Sequence, residues 1–210
     1  MKNDLSWEEA RKFLERRLQA HKIKLNLNSF WPALKKYLLS FEKEAQHLKL
    51  TASQTRREFF SGPLFDSLFL ASCLPEGVEC ADLGTGAGIP GFIIKLARPD
   101  LHLHLLEAYY PRVNFIKGLI RKLGLKGIEV YRCHLGFEEC KVKAPVTIGR
   151  GYGAVEKFVF HAANFIGSEK AFYLWRKDVE PWRQTSCALE LAAKIPLPAR
   201  PVELLIWKKV

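Results

Sequence analysis

A short apolar strand that runs straight into three alternating glycines is the feature that most constrains this fold. Val78-Glu79-Cys80-Ala81-Asp82-Leu83 reads as the strand, and Gly84-Thr85-Gly86-Ala87-Gly88 follows without a break. Glycine takes positive φ freely and leaves no Cβ between backbone and ligand. Helical sequence resumes from Ile89 to Ala97, so unpaired N–H groups are expected where that helix begins. A glycine triplet alone is no more than a tight turn. Strand, glycine turn and helix in this order make a nucleotide cradle. Glu107 lies at the end of the next predicted strand, Leu101 to Leu106. A carboxylate there is placed to accept both hydroxyls of a ribose.

The alternation continues. Pro111 opens a helix with Val113, Ile116, Leu119, Ile120 and Leu123 on its buried face, closing at Gly124. Strands are predicted at Ile128–Tyr131, Pro145–Ile148 and Ala171–Trp175, with a helix over 154–166 between the last two. The tail departs from this pattern. Leu189–Ile195 and Val202–Trp207 are both strand-like, joined by Pro196-Leu197-Pro198-Ala199-Arg200-Pro201, a link too short for a parallel crossover. The predicted class is α/β: a Rossmann-like, mostly parallel sheet ending in an antiparallel hairpin and preceded by helices.

Those helices occupy the first third of the chain. Ser6-Trp7-Glu8-Glu9 fits a capping box, and Trp7, Ala10, Phe13, Leu14 and Leu18 follow on one face. A second helix is predicted from Ser29, with Pro32 in its first turn and an apolar stripe of Phe30, Leu34, Tyr37, Leu38, Phe41 and Ala45. A third runs through Leu64–Ala71. Residues 1–76 are expected to be a helical extension packed on a core domain of residues 77–210.

The net charge is +11 over 210 residues, which favours a polyanionic partner; solubility alone is the plainer explanation. Five cysteines, Cys73, Cys80, Cys133, Cys140 and Cys187, form no C-x-x-C pair, and the histidines lack ligand spacing, so neither a disulfide framework nor a metal is expected. No apolar run approaches the roughly 20 residues of a membrane span. Met1-Lys2-Asn3-Asp4 opens without a secretory signal, so the chain reads as cytoplasmic.

The G-x-G-x-G spacing is not the G-x-G-x-x-G of dinucleotide enzymes. With the closing hairpin, it favours an S-adenosylmethionine methyltransferase over a NAD-dependent dehydrogenase. Asp82-Leu83-Gly84-Thr85-Gly86-Ala87-Gly88-Ile89-Pro90-Gly91 resembles the ribosomal RNA guanine-N7 methyltransferases of the RsmG/GidB type. The resemblance continues through Ala97-Arg98-Pro99-Asp100, Leu105-Leu106-Glu107, Arg112-Val113-Asn114-Phe115-Ile116, Gly149-Arg150 and Leu204-Leu205-Ile206-Trp207. It implies S-adenosyl-L-methionine as cofactor and methyl transfer to guanine N7 in the 530 loop of 16S rRNA. The implied partner is 16S rRNA or the small ribosomal subunit, with the chain a monomer.

Carried onto this sequence, the family's cofactor contacts fall on Gly84, Gly86, Gly88, Ile89, Glu107, Leu135, Gly136 and Arg150. His134-Leu135-Gly136 stands where the family has an acid beside the adenine, leaving Glu138, Glu139 or the Gly136 N–H as alternatives. The family's histidine before Asp-Ser is absent at Pro63-Leu64-Phe65-Asp66-Ser67, and Arg176 replaces a lysine after the fifth strand. Guanine N7 has a lone pair and no proton, so no general base is required and positioning is the main task. Arg150 is the leading positioning residue. Tyr152 is a candidate for stacking on a base or for packing on the core. Arg112, Lys117 and Arg121, with Lys122 and Lys126, form a basic run that suits a phosphate track or a solvated face. Two alternatives to the rRNA enzyme are a homologue that binds RNA without methylating it and a methyltransferase with a small-molecule acceptor.

Overall fold

A computed structural model describes residues 4–44, 47–48, 50–137, 140–176, 188–198 and 200–210. Ala45, Glu138, Glu139, Cys187 and Ala199 lie outside these, as do Met1, Lys2 and Asn3. Seven strands form one sheet: β1 (Glu79–Leu83), β2 (His102–Glu107), β3 (Ile128–Arg132), β4 (Val146–Arg150), β5 (Lys170–Arg176), β6 (Leu189–Pro196) and β7 (Val202–Lys209). Their order is β3-β2-β1-β4-β5-β7-β6. The first five are parallel, whereas β7 runs antiparallel to both β5 and β6. The predicted sheet and its closing hairpin are therefore both present.

The helices are α1 (Trp7–Ala20), α2 (Leu27–Glu44), α3 (Arg56–Phe59), α4 (Phe65–Cys73), α5 (Gly91–Ala97), α6 (Tyr110–Leu123) and α7 (Val155–His161). Single π turns sit at Phe60–Leu64, ahead of α4, and at Ala162–Ile166, after α7. Strand alternation sorts the core into two layers. Phe172 and Leu174 of β5 join a cluster with α1, α2, α5 and α6 on one face. Ala171 and Tyr173 face the other way, onto Phe158 and Val159 of α7. No helix among the described residues is long and apolar enough to cross a membrane.

Several boundaries differ from the sequence expectation for local reasons. The Ser6–Glu9 capping box is present in both directions. Helix α2 begins at Leu27, because the Asn26 carboxamide accepts the N–H groups of Asn28 and Ser29 at 3.2 and 3.4 Å. Pro32 thus falls in the second turn rather than the first. A capping box at Thr55 and Glu58, which the sequence reading passed over, starts α3. Helix α5 starts at Gly91 and not Ile89, after a cis Ile89–Pro90 bond. The Gly91 N–H donates to the Asp82 carboxylate at 2.8 Å, so the cap comes from a strand.

Arg98 and Tyr37 are among the residues that tie the N-terminal helices to the rest of the fold. Arg98 Nε and Nη2 donate to Asp100 at 2.8 and 2.7 Å, while Arg98 Nη1 reaches the Ala71 carbonyl at 3.0 Å. The Ala97-Arg98-Pro99-Asp100 turn therefore clamps α4 to α5, and Arg98 holds the Asp100 carboxyl down at about 2. The second tie is Tyr37, fully buried on α2, whose ring stacks on Phe92 at 5.2 Å and whose hydroxyl donates to the Ala87 carbonyl at 3.1 Å. Burial pushes this phenol up, so it stays a donor. Tyr37→Phe leaves a buried carbonyl short of its partner and is expected to cost about 1–2 kcal/mol in urea unfolding. An unchanged unfolding midpoint would show that water replaces the hydroxyl.

Candidate active site

The strand C-termini open onto a cleft of about 1130 Å³. One wall is the glycine turn, where Gly84, Thr85, Gly86, Ala87 and Ile89 line the cavity. The turn is held from below. Thr85 N donates to the Leu106 carbonyl at 3.0 Å, and Thr85 Oγ1 donates to Asp82 at 2.6 Å. Gly84 has φ +64°, and a Cβ there would stand 2.7 Å from the Tyr152 ring, so only glycine fits both demands.

Asp82 organises this wall, although the sequence gives no reason to single it out beyond its place in the motif. It is fully buried, one oxygen takes the Thr85 and Gly91 donors, and the other has no partner among the described residues. Burial pushes its carboxyl up to about 7, against the lowering effect of its two hydrogen bonds. A carboxyl raised on folding adds stability that is full below the unfolded value of 3.8 and is lost as pH rises through about 7. Asp82→Asn removes that titration. The Tm difference between wild type and Asp82→Asn is therefore expected to shift by several °C in favour of the variant from pH 4 to pH 8. A difference that stays constant with pH would refute it.

Glu107 ends β2 as predicted, nearly buried. Its two oxygens accept Gly86 N at 2.9 Å and Tyr109 N at 2.8 Å, and Arg112 Nη1 stands 4.0 Å away. The carboxylate is thus locked against the glycine turn, with a lone pair on each oxygen still open for a ligand hydroxyl. The glycine backbone, the cleft beside it and this anchored acid fit a nucleoside-bearing cofactor. Gly88 shapes the turn at φ +89°, where a Cβ would collide with Phe92.

The other predicted residues divide. Arg112, Arg150 and Arg176 line the cleft. Leu135 and Gly136 do not: Leu135 is buried in the second core layer, and Gly136 faces His161. Lys117 and Arg121 are exposed on α6, away from the lining. Lys122 instead bridges to Ser40 of α2 at 2.8 Å. Tyr152 departs from the stacking role. Its ring lies on Gly84, and its hydroxyl meets His161 Nδ1 at 2.6 Å. Burial pushes the phenol up to about 12 and lowers His161, so a neutral imidazole accepts from a protonated phenol. The missing Cβ at Gly84 leaves the room that the ring occupies. Among the described residues no cluster of His, Cys, Asp or Glu could hold a metal ion.

Asp66 and Arg200 also line the cleft, and neither was singled out from the sequence. A lone acid inside the apolar run Phe65–Ala71 was the available signal, since a buried charge needs a partner. Arg200 carried none, because its partner lies 134 positions away.

Sheet order, glycine turn and the acid at the end of β2 together define the Rossmann-like methyltransferase fold. Solved structures agree on the fold. The chain superposes with a TM-score of 0.59 on the mitomycin 7-O-methyltransferase MmcR, at 17% identity over 98% of this chain and 69% of that one. An S-adenosylmethionine-dependent methyltransferase from Aquifex aeolicus gives 0.51, at 16% identity over 74% of this chain and 94% of that one. Residues 31–194 match the family described as rRNA small subunit methyltransferase G, and the chain belongs to that family. Ribosomal RNA small subunit methyltransferase G of Desulfotalea psychrophila is 44% identical over 96 residues, 45% of this chain and 44% of that protein. The namesake from Chromobacterium violaceum is 28% identical over 151 residues, 72% of each chain. The match to the Desulfotalea protein thus spans less than half of that relative's length.

Proposed function

We propose that this chain is an S-adenosylmethionine-dependent methyltransferase acting on guanine N7 of 16S rRNA. The observation that carries this reading is the glycine turn with Glu107 anchored at its edge, opening onto a cleft lined by Arg112, Arg150 and Arg176. Membership of the family supports the acceptor. The cofactor, when bound, supplies an electrophilic methyl group on a sulfonium.

In this reading Gly84, Gly86 and Ile89 offer backbone to the cofactor, and Glu107 takes the ribose hydroxyls. Arg150 holds the acceptor in line, and Arg112 and Arg176 meet its backbone. Nothing need remove a proton, because N7 offers a lone pair, so the chain's contribution is orientation and water exclusion. Lys117 and Arg121 extend the basic surface outside the cleft, and residues 1–76 form a lobe facing the RNA. A ribosomal acceptor goes with a cytoplasmic site of action and a monomeric enzyme.

The test is methyl transfer from labelled S-adenosylmethionine to 30S particles or naked 16S rRNA, with the modified base mapped by mass spectrometry. Label at guanine N7 supports the reading. Cofactor binding without transfer to either substrate overturns it in favour of an RNA-binding homologue or a small-molecule acceptor.

A further inference from the structure

Away from the cleft, two helices carry adjoining rows of cations. Helix α2 exposes Lys36 and Lys43, two turns apart, with a half-exposed Leu39 between them. Helix α6 exposes Lys117 and Arg121, one turn apart, and Lys122 beside them. Lys122 Nζ donates to Ser40 Oγ of α2 at 2.8 Å, which joins the two rows. Nearer the cleft, Arg112 Nε donates to the Leu48 carbonyl at 3.2 Å. From Ser40 to Leu48 the partner moves back from Lys122 to Arg112, so the two helices run antiparallel. Arg112 lines the cleft, and Lys122 lies about 15 Å further along the helix axis.

This face is fixed from behind and carries one sign of charge. Leu34, Leu38 and Phe41 of α2 share a buried cluster with Val113, Ile116 and Leu119 of α6. Helix α6 contains no acid. Of the two acids in α2, Glu42 is turned away to Arg56, which holds it at 3.0 and 3.1 Å, and Glu44 is half-buried at the helix end. The strip between the rows is open. Gly118, one turn before Lys122 on the same side of α6, has nothing within 4 Å of its Cβ position. Cations held together on a rigid surface repel one another, and a polyanion relieves that repulsion. A lipid surface fits less well, because an interfacial helix presents a broad apolar face, and Leu39 is the one large apolar side chain exposed among these cations.

We propose that the outer face of α2 and α6 is a docking surface for the sugar–phosphate backbone of the substrate RNA, at a segment distant from the target nucleotide. The inference rests on the RNA-methylating reading for the identity of the polyanion. Backbone contacts fix the position of a nucleic acid and carry no sequence information. The face therefore sets how tightly the RNA is held, while the cleft sets which base is presented. Each cation beside a phosphate releases a condensed counterion, so the contribution of this face is read in the salt dependence of binding.

The full chain is titrated by fluorescence anisotropy with an RNA hairpin that carries a guanine in its loop, over a range of salt. Lys36→Gln, Lys43→Gln, Lys117→Gln and Arg121→Gln combined are expected to weaken binding at least about tenfold and to flatten the salt slope by about three. Calorimetry should find the affinity for S-adenosylmethionine unchanged. A control combining Lys22→Gln, Lys24→Gln, Lys141→Gln and Lys208→Gln removes the same charge from exposed positions elsewhere and should lose far less. Gly118→Glu keeps every cation, sets an acid between the rows and weakens RNA binding, whereas Gly118→Ala leaves it unchanged. Equal losses in the two combined variants overturn the proposal, as does unchanged RNA affinity in the first of them and in Gly118→Glu. Binding to phosphatidylserine vesicles that the first variant loses, with its RNA affinity intact, overturns it in favour of a membrane surface. Failure of wild type to methylate rRNA counts against the enzymatic reading, and these binding arms register separately from it.

Discussion

Glu107→Ala is expected to raise the dissociation constant for S-adenosylmethionine about a hundredfold while the chain stays folded. The side chain does two things at once in the proposed site. It anchors the turn by accepting Gly86 N at 2.9 Å, and it keeps a charged acceptor at the end of β2. Hydrogen bonds to a charged group contribute about 1.5–3 kcal/mol each, and a combined loss of about 3 kcal/mol corresponds to roughly a hundredfold in affinity. Glu107→Gln keeps the shape and one acceptor, so it should fall between wild type and alanine. Calorimetry of the three proteins checks the order. Equal affinities across the series would remove Glu107 from the cofactor site.

The second large effect is on folding. In Gly91→Ala the new Cβ would stand 2.4 Å from Leu105 Cδ2 and 2.7 Å from Asp82 Oδ2. The backbone cannot easily retreat, because the Gly91 N–H is bound to that same Asp82 oxygen at 2.8 Å. Overpacking together with a weakened buried hydrogen bond is expected to cost about 3 kcal/mol in urea unfolding. Gly118→Ala is the matched control, since Gly118 lies inside α6 with nothing within 4 Å of its Cβ position. Helix propensity there favours alanine by about 0.5–1 kcal/mol. If both variants lose stability equally, the contact argument at Gly91 fails.

Glu107 was legible in the sequence because a carboxylate one strand after a glycine turn has a fixed place in such sheets. The closing hairpin was legible because six residues between strands leave room only for an antiparallel return. Arg150 was legible as a residue of the cleft, but its partner was not. Asp66 is 84 positions away, and nothing local announces the contact. Tyr152 was ambiguous between ligand and core, and its ring occupies the room left by the bare backbone of Gly84.

Patterns of period two and 3.6, glycine at turns and the order of elements are written within a few neighbouring residues, so strands, helices and the glycine turn could be read directly. Which charged groups share one cavity is a matter of chain return. The Asp66 carboxylate lies against Arg150 and Arg200 only because α4, β4 and the β6–β7 turn converge on one end of the sheet. Leu135 and Gly136 follow the same logic. Their motif position pointed to the cofactor, whereas packing against α7 and His161 holds them apart from the cleft lining. Local chemistry sets the elements of this protein, and the burial of one carboxylate sets where its cations meet.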